Sequence, residues 1–501
     1  MRGRKLAAEP RRGRRDGESG EARRSRARRL GDVYAANCAV CHGAALEGAA
    51  LGPALRGPLT HGDGVDALEA SIARGFGAGM PGWAATLPPA EIRGIAIWLA
   101  EQRENRSSER GNGVGAPPVI PAEPVRTQLH DFRVRLVRGG FAEPYALAAL
   151  PDGRVLVTEK MRGLTLVSAD GATATRVRGT PRVYDDAPLR GTTYAGMGWL
   201  HDVALHPDYA TNGWIYLSFG DRCEQCNAAS RASKRPVVML KLVRGRIAGD
   251  AWVDAQTIWE GPRESYQDGL ENGAGARIAF DDAGHVFLAV GHFTDYRGIQ
   301  DLDRPYGKIV RVRDDGGVPA DNPFRATPGA LASVYTLGHR VVQGLAFDPV
   351  TRRLWSTEHG PRGGDELNLI RPGANYGWPV ISEGVDYDGR PIHYAEELGL
   401  DVEPATLERP KASWTPSPGI SNLVIYRGAA FPRWSGHALV ATLAKNDLWR
   451  LELGENGVTR QETLLASLGR FRDLDVGPRG ELLALIEHRA GSSVVRIEPA
   501  R

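Results

Sequence analysis

Apolar residues recur at helical spacing in the first fifth of the chain. The stretches GDVYAANCAVCHG (31–43) and PPAEIRGIAIWLAEQ (88–102) both place apolar residues three or four positions apart. The second stretch begins with Pro88 and Pro89, and proline is favoured at the start of a helix. Loops rich in glycine and proline lie between the two stretches. The pattern predicts a small all-α domain over residues 31–102.

From about residue 128 the pattern changes to turns followed by runs of β-forming residues. Regular short strands separated by Gly and Asp turns are typical of an all-β fold. Six loose repeats across this region predict a six-bladed β-propeller over residues 128–501, with about four strands per blade and loops that converge on a central cavity. The six units are PDGRVLVTEK, HPDYATNGWIYLSFGD, DDAGHVFLAVGH, DPVTRRLWSTEHG, FPRWSGHALVAT and GPRGELLALIEH.

Two polar segments flank the helical domain. Residues 1–30 hold 12 Lys and Arg against 4 Asp and Glu, a local charge of +8 in a chain of net charge +3. This composition predicts a disordered basic leader, either an unstructured extension or an arm for nucleic acid or an anionic surface. It lacks the apolar core of a signal peptide. Residues 103–127 are charged and then rich in Gly and Pro, which is typical of a linker. No apolar run of about 18 residues predicts a transmembrane helix.

The first helical stretch contains the signature of covalent haem attachment. Cys38, Cys41 and His42 form Cys-x-x-Cys-His, in which two thiols on one helical turn add to the haem vinyl groups and the imidazole binds the iron. Met80 in a glycine-rich loop is the candidate for the second axial ligand, and Met/His ligation suits electron transfer. The carbonyl of Pro53 is placed to accept the ring N–H of His42.

The alternative interpretation is a zinc or redox Cys-x-x-Cys with a chance histidine. A zinc site needs further ligands nearby, and His61 is the one additional Cys or His before the linker. The segment resembles a class I cytochrome c domain over about 70 residues, with Gly31 and Tyr34 on its first helix and Trp98 on its last.

A second cysteine pair lies in the β-rich region. Cys223 and Cys226 are followed by Asn227, so the pair is not a second haem-attachment motif. A local loop disulfide and a functional redox pair both remain open.

The β-rich region also contains distinctive motifs in a fixed order. Over residues 130–498 these motifs resemble the soluble, pyrroloquinoline-quinone-dependent glucose and aldose dehydrogenases, a family of six-bladed propellers. The resemblance implies a sugar dehydrogenase that uses the quinone PQQ and Ca²⁺. The motifs are GWLHDVALHPDYATNGWIYLSFGD, QDLDRPYGKIVRVRDDGGVPADNPF, VYTLGHRVVQGLAFDP, STEHGPRGGDELNLIRPGANYGWP and LGRFRDLDVGPRGELL.

The resemblance implies a set of cofactor contacts. PQQ carries three carboxylates, which require fixed cationic partners, and Arg340, Arg470 and Arg472 match the arginines that hold it in the family. Arg470 and Arg472 alternate in a β-run, so both are expected to point the same way. Lys445 lies near the family's cofactor lysine, although the best register puts Ala444 there.

The resemblance also implies a calcium site. The loop EHGPRGGDE matches the family segment whose backbone carbonyls bind Ca²⁺, which gives Gly360 and Pro361 as ligands. The cation would polarise the quinone carbonyl that receives the hydride. Asp365 and Glu366 are expected either to support this loop or a second ion, or to be solvated turn residues.

Two positions depart from the family pattern. The family's general base is a histidine four residues before an arginine; Arg277 is present here, and Gly273 stands in place of the histidine. The family's Arg-Asn-Pro-Gln is Arg340-Val341-Val342-Gln343, which keeps Gln343 as a cofactor contact and loses the polar contact of the asparagine.

A replacement for the missing base is therefore needed. A histidine titrates near neutral pH and is the best general base. We rank His292, which follows a strand directly, ahead of His201, which replaces a usual leucine. Glu271, beside the vacant position, and His359, beside the calcium loop, are further candidates; a hydrogen-bonded structural histidine is the alternative role for each histidine.

The sequence thus predicts a quinohaemoprotein dehydrogenase that oxidises a sugar or related alcohol and passes electrons to its fused haem. An external cytochrome, quinone or oxidase would accept them, and no nucleic-acid partner is expected. One alternative is a dehydrogenase for a non-sugar alcohol or aldehyde. Another is a ligand-binding propeller without catalysis, joined to an electron-carrier cytochrome. Covalent haem predicts a periplasmic location, and a misassigned start site or a divergent export signal would reconcile this with the arginine-rich leader.

Overall fold

The computed structural model describes residues 30–77, 79–103, 116–184, 198–267, 274–292, 295–392 and 394–500. The basic leader up to residue 29, the first half of the linker, Glu271 and Gly273 lie outside these described residues.

The predicted helical domain is present. It contains α1 (30–37), α2 (Ala39–His42), α3 (Val65–Arg74) and α4 (Pro89–Arg103). Helix α3 ends at Gly75, which adopts φ of +70° and donates its N–H to the Ser71 carbonyl, a conformation that glycine adopts without steric cost. The apolar faces of α3 and α4 pack with Leu30 and Tyr34 into one core. The 3.6-residue spacing therefore builds a small bundle with its own interior.

The described β-rich region forms six four-stranded antiparallel sheets, which confirms the predicted six-bladed propeller. Each sheet is one blade. From inner to outer strand, the blades are β2 (Pro144–Ala149), β3 (Val155–Glu159), β4 (Gly163–Val167) and β5 (Ala174–Arg176); β6 (Leu200–Leu205), β7 (Ile215–Cys223), β8 (Val237–Ala248) and β9 (Ala251–Glu260); β10 (Gly275–Phe280), β11 (His285–Val290), β12 (Lys308–Arg313) and β13 (Val334–Leu337); β14 (Val342–Asp348), β15 (Arg353–Glu358), β16 (Asp365–Ile370) and β17 (Ala412–Trp414); β18 (Ile420–Ile425), β19 (Ala438–Thr442), β20 (Leu448–Leu453) and β21 (Val458–Leu465); and β22 (Arg470–Val476), β23 (Leu482–Glu487), β24 (Ser492–Pro499) and β1 (Phe132–Phe141).

The inner strands close a ring. β2, β6, β10, β14, β18 and β22 each contact the next, and β2 contacts β22. The last blade takes its outer strand from the beginning of the propeller, because β1 pairs with β24 from Phe132 opposite Pro499 to Phe141 opposite Ser492. The two ends of the region are thus joined by a strand ladder rather than by a loop.

The second strands of the blades are more buried than most of the outer strands. Every residue of β3 and of β23 is buried, whereas all three residues of β5 are exposed. The buried strands are runs of Val, Leu and Ile, which suit a pleated surface packed on both faces. Apolar clusters between neighbouring blades form the core.

A buried ion network lies among the inner strands. Arg277 of β10 binds Asp202 of β6 at 3.2 Å and Asp473 of β22 at 2.8 Å, and its Nε donates to the Gln343 carbonyl of β14 at 2.7 Å. Burial raises the pKa of both carboxyls, and the charge of Arg277 opposes that rise. One guanidinium therefore ties four blades together.

Short helices occupy the loops, namely α5 (Tyr209–Asn212), α6 (Ala228–Ser233), α7 (Tyr296–Gln300) and α8 (Tyr394–Leu398). Cys223 and Cys226 form a disulfide between β7 and α6, which confirms the local loop disulfide. Among the described residues, none of the helices has both the length and the apolar character needed to span a bilayer.

Candidate functional site

The helical domain encloses a cavity of about 690 Å³. Cys38, Cys41 and His42 line it, and so does Met80, the predicted opposite ligand. Much of the remaining wall is apolar and includes Leu51, Leu55, Leu59, Leu68, Ile72, Phe76, Trp83 and Leu99. The donor set and the apolar walls fit a covalently attached haem with His and Met as axial ligands.

The ring of His42 is held in one orientation. Its Nδ1 lies 2.9 Å from the Pro53 carbonyl, the contact that the sequence predicts. Because Nδ1 must donate to a carbonyl, Nε2 keeps the lone pair that binds a metal. Tyr34 stabilises the end of the motif by donating from its hydroxyl to the Gly43 carbonyl at 2.7 Å.

The attachment thiols and the Met80 loop line the same cavity. Burial, with a smaller contribution from Cys41, raises the pKa of Cys38 to about 11, so this thiol is protonated at neutral pH. Phe76 donates its N–H to the Met80 carbonyl at 2.9 Å, which folds the loop back on the end of α3. In the part of the chain that the structure describes, no group of three or more His, Cys, Asp or Glu is placed to hold a metal ion. The zinc interpretation therefore gains no support.

The propeller gathers its predicted residues at one end. In each blade the start of the first strand lies opposite the end of the second strand, because the two are antiparallel. We call this end the site face. Paired residues that mark it are Pro144 with Glu159, Leu200 with Phe219, Gly275 with Val290, Val342 with Glu358, Ile420 with Thr442 and Arg470 with Glu487. At or beside these positions lie His201, His292, Arg340, Gly360, Pro361, Lys445, Arg470 and Arg472.

Arg470 and Arg472 point the same way, as their alternation predicts. Both bind Glu487, with Nε–Oε distances of 2.6 Å and 2.9 Å. Burial alone would raise the pKa of Glu487, but the two guanidinium groups outweigh it and hold that pKa below its ordinary value. Arg472 also donates to the Gln343 side chain at 3.4 Å, so two predicted cofactor contacts are neighbours.

Sequence reasoning missed Lys160, which stands immediately after β3. Its Nζ lies 5.9 Å from the ring centre of Tyr145 and 5.3 Å from that of Trp199. Burial lowers its pKa to about 8; Glu487 opposes that shift, and Arg472 adds to it. The sequence does contain a signal for Lys160, because a lysine directly follows the fully buried strand VLVTE. A residue at the end of a second strand lies at the site face.

Arg340 lies just before β14 and organises the next part of the face. Its Nη1 donates to the carbonyls of His359 and Gly360 at 3.1 Å and 3.0 Å, and its Nη2 donates to the Tyr387 hydroxyl at 2.9 Å. The guanidinium also lies over the Trp378 ring, 5.2 Å from its centre. Arg340 is therefore fixed in the site face, as a cofactor-binding arginine must be.

This geometry bears on the predicted calcium site. The Gly360 carbonyl, a predicted ligand, already accepts a hydrogen bond from Arg340. A cation on the same oxygen would be repelled by the guanidinium, so Ca²⁺ would have to share or displace that contact. The calcium prediction stays untested.

The two acidic residues of the loop have separate surroundings. Asp365 accepts from the Gly360 N–H at 3.0 Å and from the Ser417 hydroxyl at 2.7 Å, which supports the loop, one of the roles expected for it. Glu366 instead accepts from Asn368, and burial, with the nearby Glu358, raises its pKa to about 8. Neither is a solvated turn residue.

His292 adjoins Arg340, because its N–H donates to the Arg340 carbonyl at 2.9 Å. Its ring Nδ1 lies 2.9 Å from the Asp295 amide and must accept that N–H. The Nδ1 lone pair is then engaged, and in the neutral ring Nε2 carries the proton. This arrangement favours a structural role for His292 over that of a base.

His201 lies on another part of the site face. Its ring centre is 5.1 Å from that of Tyr145, the ring that Lys160 also approaches.

His359 and Lys445 are two further predicted residues of the site face. Burial lowers the pKa of His359, with Arg340 among the smaller causes. Lys445 lies in the turn after β19, where its N–H donates to the Pro418 carbonyl at 2.9 Å. The roles of these side chains remain predictions.

Comparison with known proteins agrees with both parts of this architecture. The family model described as glucose/sorbosone dehydrogenase matches residues 141–496, which is more than half of the chain. The model described as cytochrome c oxidase, cbb3-type, subunit III, matches residues 25–99. The predicted combination of a cytochrome c domain with a sugar-dehydrogenase-like propeller is confirmed.

Individual relatives support the same assignment. The chain is 32% identical over 370 residues to the aldose sugar dehydrogenase YliI of Escherichia coli strain K12, covering 73% of this chain and 92% of that protein. A crystal structure of glucose dehydrogenase is 33% identical, covers 73% of this chain and 99% of its own, and has a TM-score of 0.64. The PQQ-bound aldose sugar dehydrogenase of Streptomyces coelicolor is 26% identical, covers 76% of this chain and 99% of its own, and has a TM-score of 0.54.

Proposed function

Because the chain belongs to the glucose/sorbosone dehydrogenase family, we propose that it is a quinohaemoprotein dehydrogenase for an aldose or a related alcohol. The carrying observation is the charge of the site face. Arg470 and Arg472 share Glu487, and Lys160 and Arg340 add further positive groups. A surplus of positive charge on buried, fixed side chains suits a tricarboxylate such as PQQ.

Each side chain has a distinct task in this proposal. Arg470 and Arg472, held in place by Glu487, bind cofactor carboxylates, and Arg340 approaches from the blade of β14, which the blade of β18 separates from theirs. Gln343, next to Arg472, adds a neutral contact. When bound, PQQ would supply the carbonyl that accepts a hydride from the substrate carbon. The fully buried second strands β3 and β23 exclude water beneath the site, which strengthens these charged contacts.

The proton of the substrate hydroxyl needs a separate acceptor. His201 and Lys160 both lie against Tyr145, so a substrate that enters there meets two basic groups. A bound tricarboxylate beside Lys160 favours its protonated amine, so of the two groups the imidazole of His201 is the proposed proton acceptor. We therefore assign proton removal to His201 beside Tyr145 and not to His292, whose Nδ1 accepts from the Asp295 N–H.

The haem cavity completes the proposed electron path. Substrate oxidation would deliver two electrons, and a haem held by Cys38, Cys41 and His42 would supply the one-electron chemistry that passes them to an external acceptor. Covalent haem and the Cys223–Cys226 disulfide both favour a location outside the cytoplasm, so we propose a periplasmic protein. Ca²⁺ is a further proposed component, and it would compete with Arg340 for the Gly360 carbonyl.

A ligand-binding propeller without catalysis is the second candidate. Gly273 stands where the family's base is expected, and the Gly360 carbonyl is engaged by Arg340. Both observations favour loss of catalysis. The cationic face would then bind an anionic ligand without turning it over.

Haem reduction separates the two candidates. The full chain, produced with covalent haem, is mixed with PQQ, Ca²⁺ and a panel of aldoses and alcohols while the absorption of reduced haem is followed. Reduction that needs substrate and PQQ together supports the dehydrogenase. A haem that dithionite reduces and no substrate does, in a protein that fails to bind PQQ, supports the binding role. Omitting Ca²⁺ tests the cation separately.

A further inference from the structure

The helical domain, which we call the haem domain from here on, contacts the propeller directly. Gly94 of α4 lies against Gly389 of the propeller, and a Cβ built on Gly94 would come within 2.7 Å of the Gly389 Cα. Leu30 of α1 lies beside both glycines. Val385 of the propeller packs against the core of the haem domain. Two glycine backbones meet because neither residue has a side chain to keep them apart.

An ion pair joins the two domains beside this contact. Arg362 of the propeller binds Glu101 of α4 through two contacts, Nη2–Oε2 at 2.5 Å and Nε–Oε1 at 3.3 Å. The side chains are 9% and 21% exposed, so the pair is largely shielded from water. Glu101 lies two turns after Gly94, which puts both residues on the same face of α4. Bidentate pairs of this kind restrict orientation as well as distance.

The contact continues into the candidate cofactor site. Arg362 pairs through its backbone with Val385 and donates from Nη1 to the Tyr387 carbonyl at 3.0 Å. The Tyr387 hydroxyl accepts from Arg340. The segment from Val385 to Gly389 therefore touches the haem domain on one side and the predicted quinone arginine on the other.

Helix α4 also forms a wall of the haem cavity, which it lines with Leu99. Leu99 precedes Glu101 by two residues, so the two side chains leave the helix on different faces. We propose that the Glu101–Arg362 pair and the Gly94–Gly389 contact lock the haem domain onto the site face, and that this lock sets the rate of electron transfer to the haem. The kinetic part rests on the proposed function.

The electrons balance within that function. Substrate oxidation would release two electrons and two protons. The electrons would pass to the bound quinone and from it one at a time to ferric haem, and the protons would go to solvent. Between these transfers, ferrous haem is reoxidised by an external one-electron acceptor such as an oxidised cytochrome. The lock changes the geometry of the internal transfers and leaves substrate oxidation unaffected.

Hydrogen exchange tests the lock without quinone or substrate. In the full haem-containing chain, Glu101→Lys should speed exchange of the amides from Val385 to Gly389 about tenfold, because a like charge replaces the partner of Arg362. Glu69→Lys is the matched control, since Glu69 pairs with Arg93 inside the haem domain at 2.7 Å. Unchanged exchange in Glu101→Lys, or equal acceleration in the control, overturns the lock.

Stopped-flow kinetics test its consequence. With PQQ and a substrate that the wild-type protein oxidises, Glu101→Lys should slow haem reduction about tenfold, while a soluble dye that takes electrons directly from the quinone site is reduced at the wild-type rate. Faster exchange with unchanged haem reduction overturns the kinetic role. If wild-type protein oxidises no substrate, the proposed function fails, and the exchange result still decides whether the domains are locked.

A second variant acts through shape rather than charge. Gly94→Ala suits the interior of a helix and favours helix formation by roughly 1 kcal/mol. In the docked chain its Cβ meets the Gly389 backbone, so this variant should also speed exchange in that segment. Slower or unchanged exchange in Gly94→Ala contradicts the close contact.

Discussion

The haem cavity and the propeller site face differ in how far along the chain their residues lie. The haem cavity is lined by residues between Tyr34 and Leu99, and its attaching groups lie within five consecutive positions. The site face of the propeller contains Lys160, Arg340 and Arg472, which come from three different blades. One site is apolar and local, and the other is cationic and assembled by ring closure. A motif is therefore sufficient to find the first, whereas the second depends on the whole topology.

The largest effect should separate the two regions by stability. Arg277→Met leaves Asp202 and Asp473 buried without their partner, at an expected cost of about 3–5 kcal/mol. Because each buried carboxyl then has a pKa above its unfolded value, the loss is greatest at alkaline pH and shrinks as pH falls and the carboxyls are protonated. Thermal unfolding followed by tryptophan fluorescence measures it.

The haem supplies the internal control for that measurement. Soret absorbance follows the haem domain, whose core contains none of the three residues. If the Soret transition moves as far as the fluorescence transition in Arg277→Met, the two regions unfold as one unit. The haem domain and the propeller would then not differ in stability.

The next effect concerns cofactor affinity. Arg472→Gln removes one of the two guanidinium groups on Glu487, and we expect PQQ affinity to fall roughly 10- to 100-fold. Fluorescence titration of the apo protein with PQQ measures the change. Arg479→Gln is the control, because Arg479 pairs with Glu481 at the other end of the same blade and is 69% exposed. Equal affinity in the two variants would exclude Arg472 from the cofactor site.

A smaller effect should appear as proton uptake. The pKa of Lys160 is lowered to about 8, and a bound tricarboxylate beside it favours the protonated amine. PQQ binding should therefore take up a proton at pH values just above 8, and affinity should fall as pH rises through that range. Calorimetry in two buffers of different ionisation enthalpy measures the uptake. Lys160→Met should abolish it; uptake that persists in that variant would assign the proton to another group.

The smallest effect lies in the haem domain. Tyr34→Phe removes the hydrogen bond to the Gly43 carbonyl, at a cost of about 1 kcal/mol. Burial and the neighbouring Cys38 raise the pKa of this hydroxyl to about 12, so it stays a donor throughout the neutral range. The Soret transition should shift while the fluorescence transition of the propeller stays in place. A shift of both transitions would show that the domains are thermally coupled.

The sequence was most informative where chemistry and periodicity coincide. The helical spacing predicted the haem domain, and the motif predicted the His42–Pro53 contact that the structure contains. Six turn-and-strand units predicted six blades because each blade repeats one local pattern. Alternation in a strand was enough to align Arg470 with Arg472.

Contacts between distant segments were beyond such patterns. Nothing near Lys160 in the sequence indicates that Glu487, more than 300 residues later, lies close enough to influence its pKa. Loop packing likewise produces the hydrogen bond from Arg340 to the Gly360 carbonyl and the one from the Asp295 N–H to the His292 ring. A resemblance to a family transfers residue types to positions, but it does not transfer the hydrogen bonds that those residues make.

The pairing of β1 with β24 determines the order in which the molecule can be completed during synthesis. The haem domain lies wholly before Phe132 and leaves the ribosome early, whereas Ser492–Pro499, the partner of β1, is made after all the other described strands. Until then β1 is an unpaired edge, a segment prone to wrong pairing. Contacts of such long sequence separation also slow folding. A growing chain would thus contain every residue of the first domain while the ring is still open, and a nascent chain that stops short of Ser492 would keep the sequence of the first domain and leave the ring unclosed.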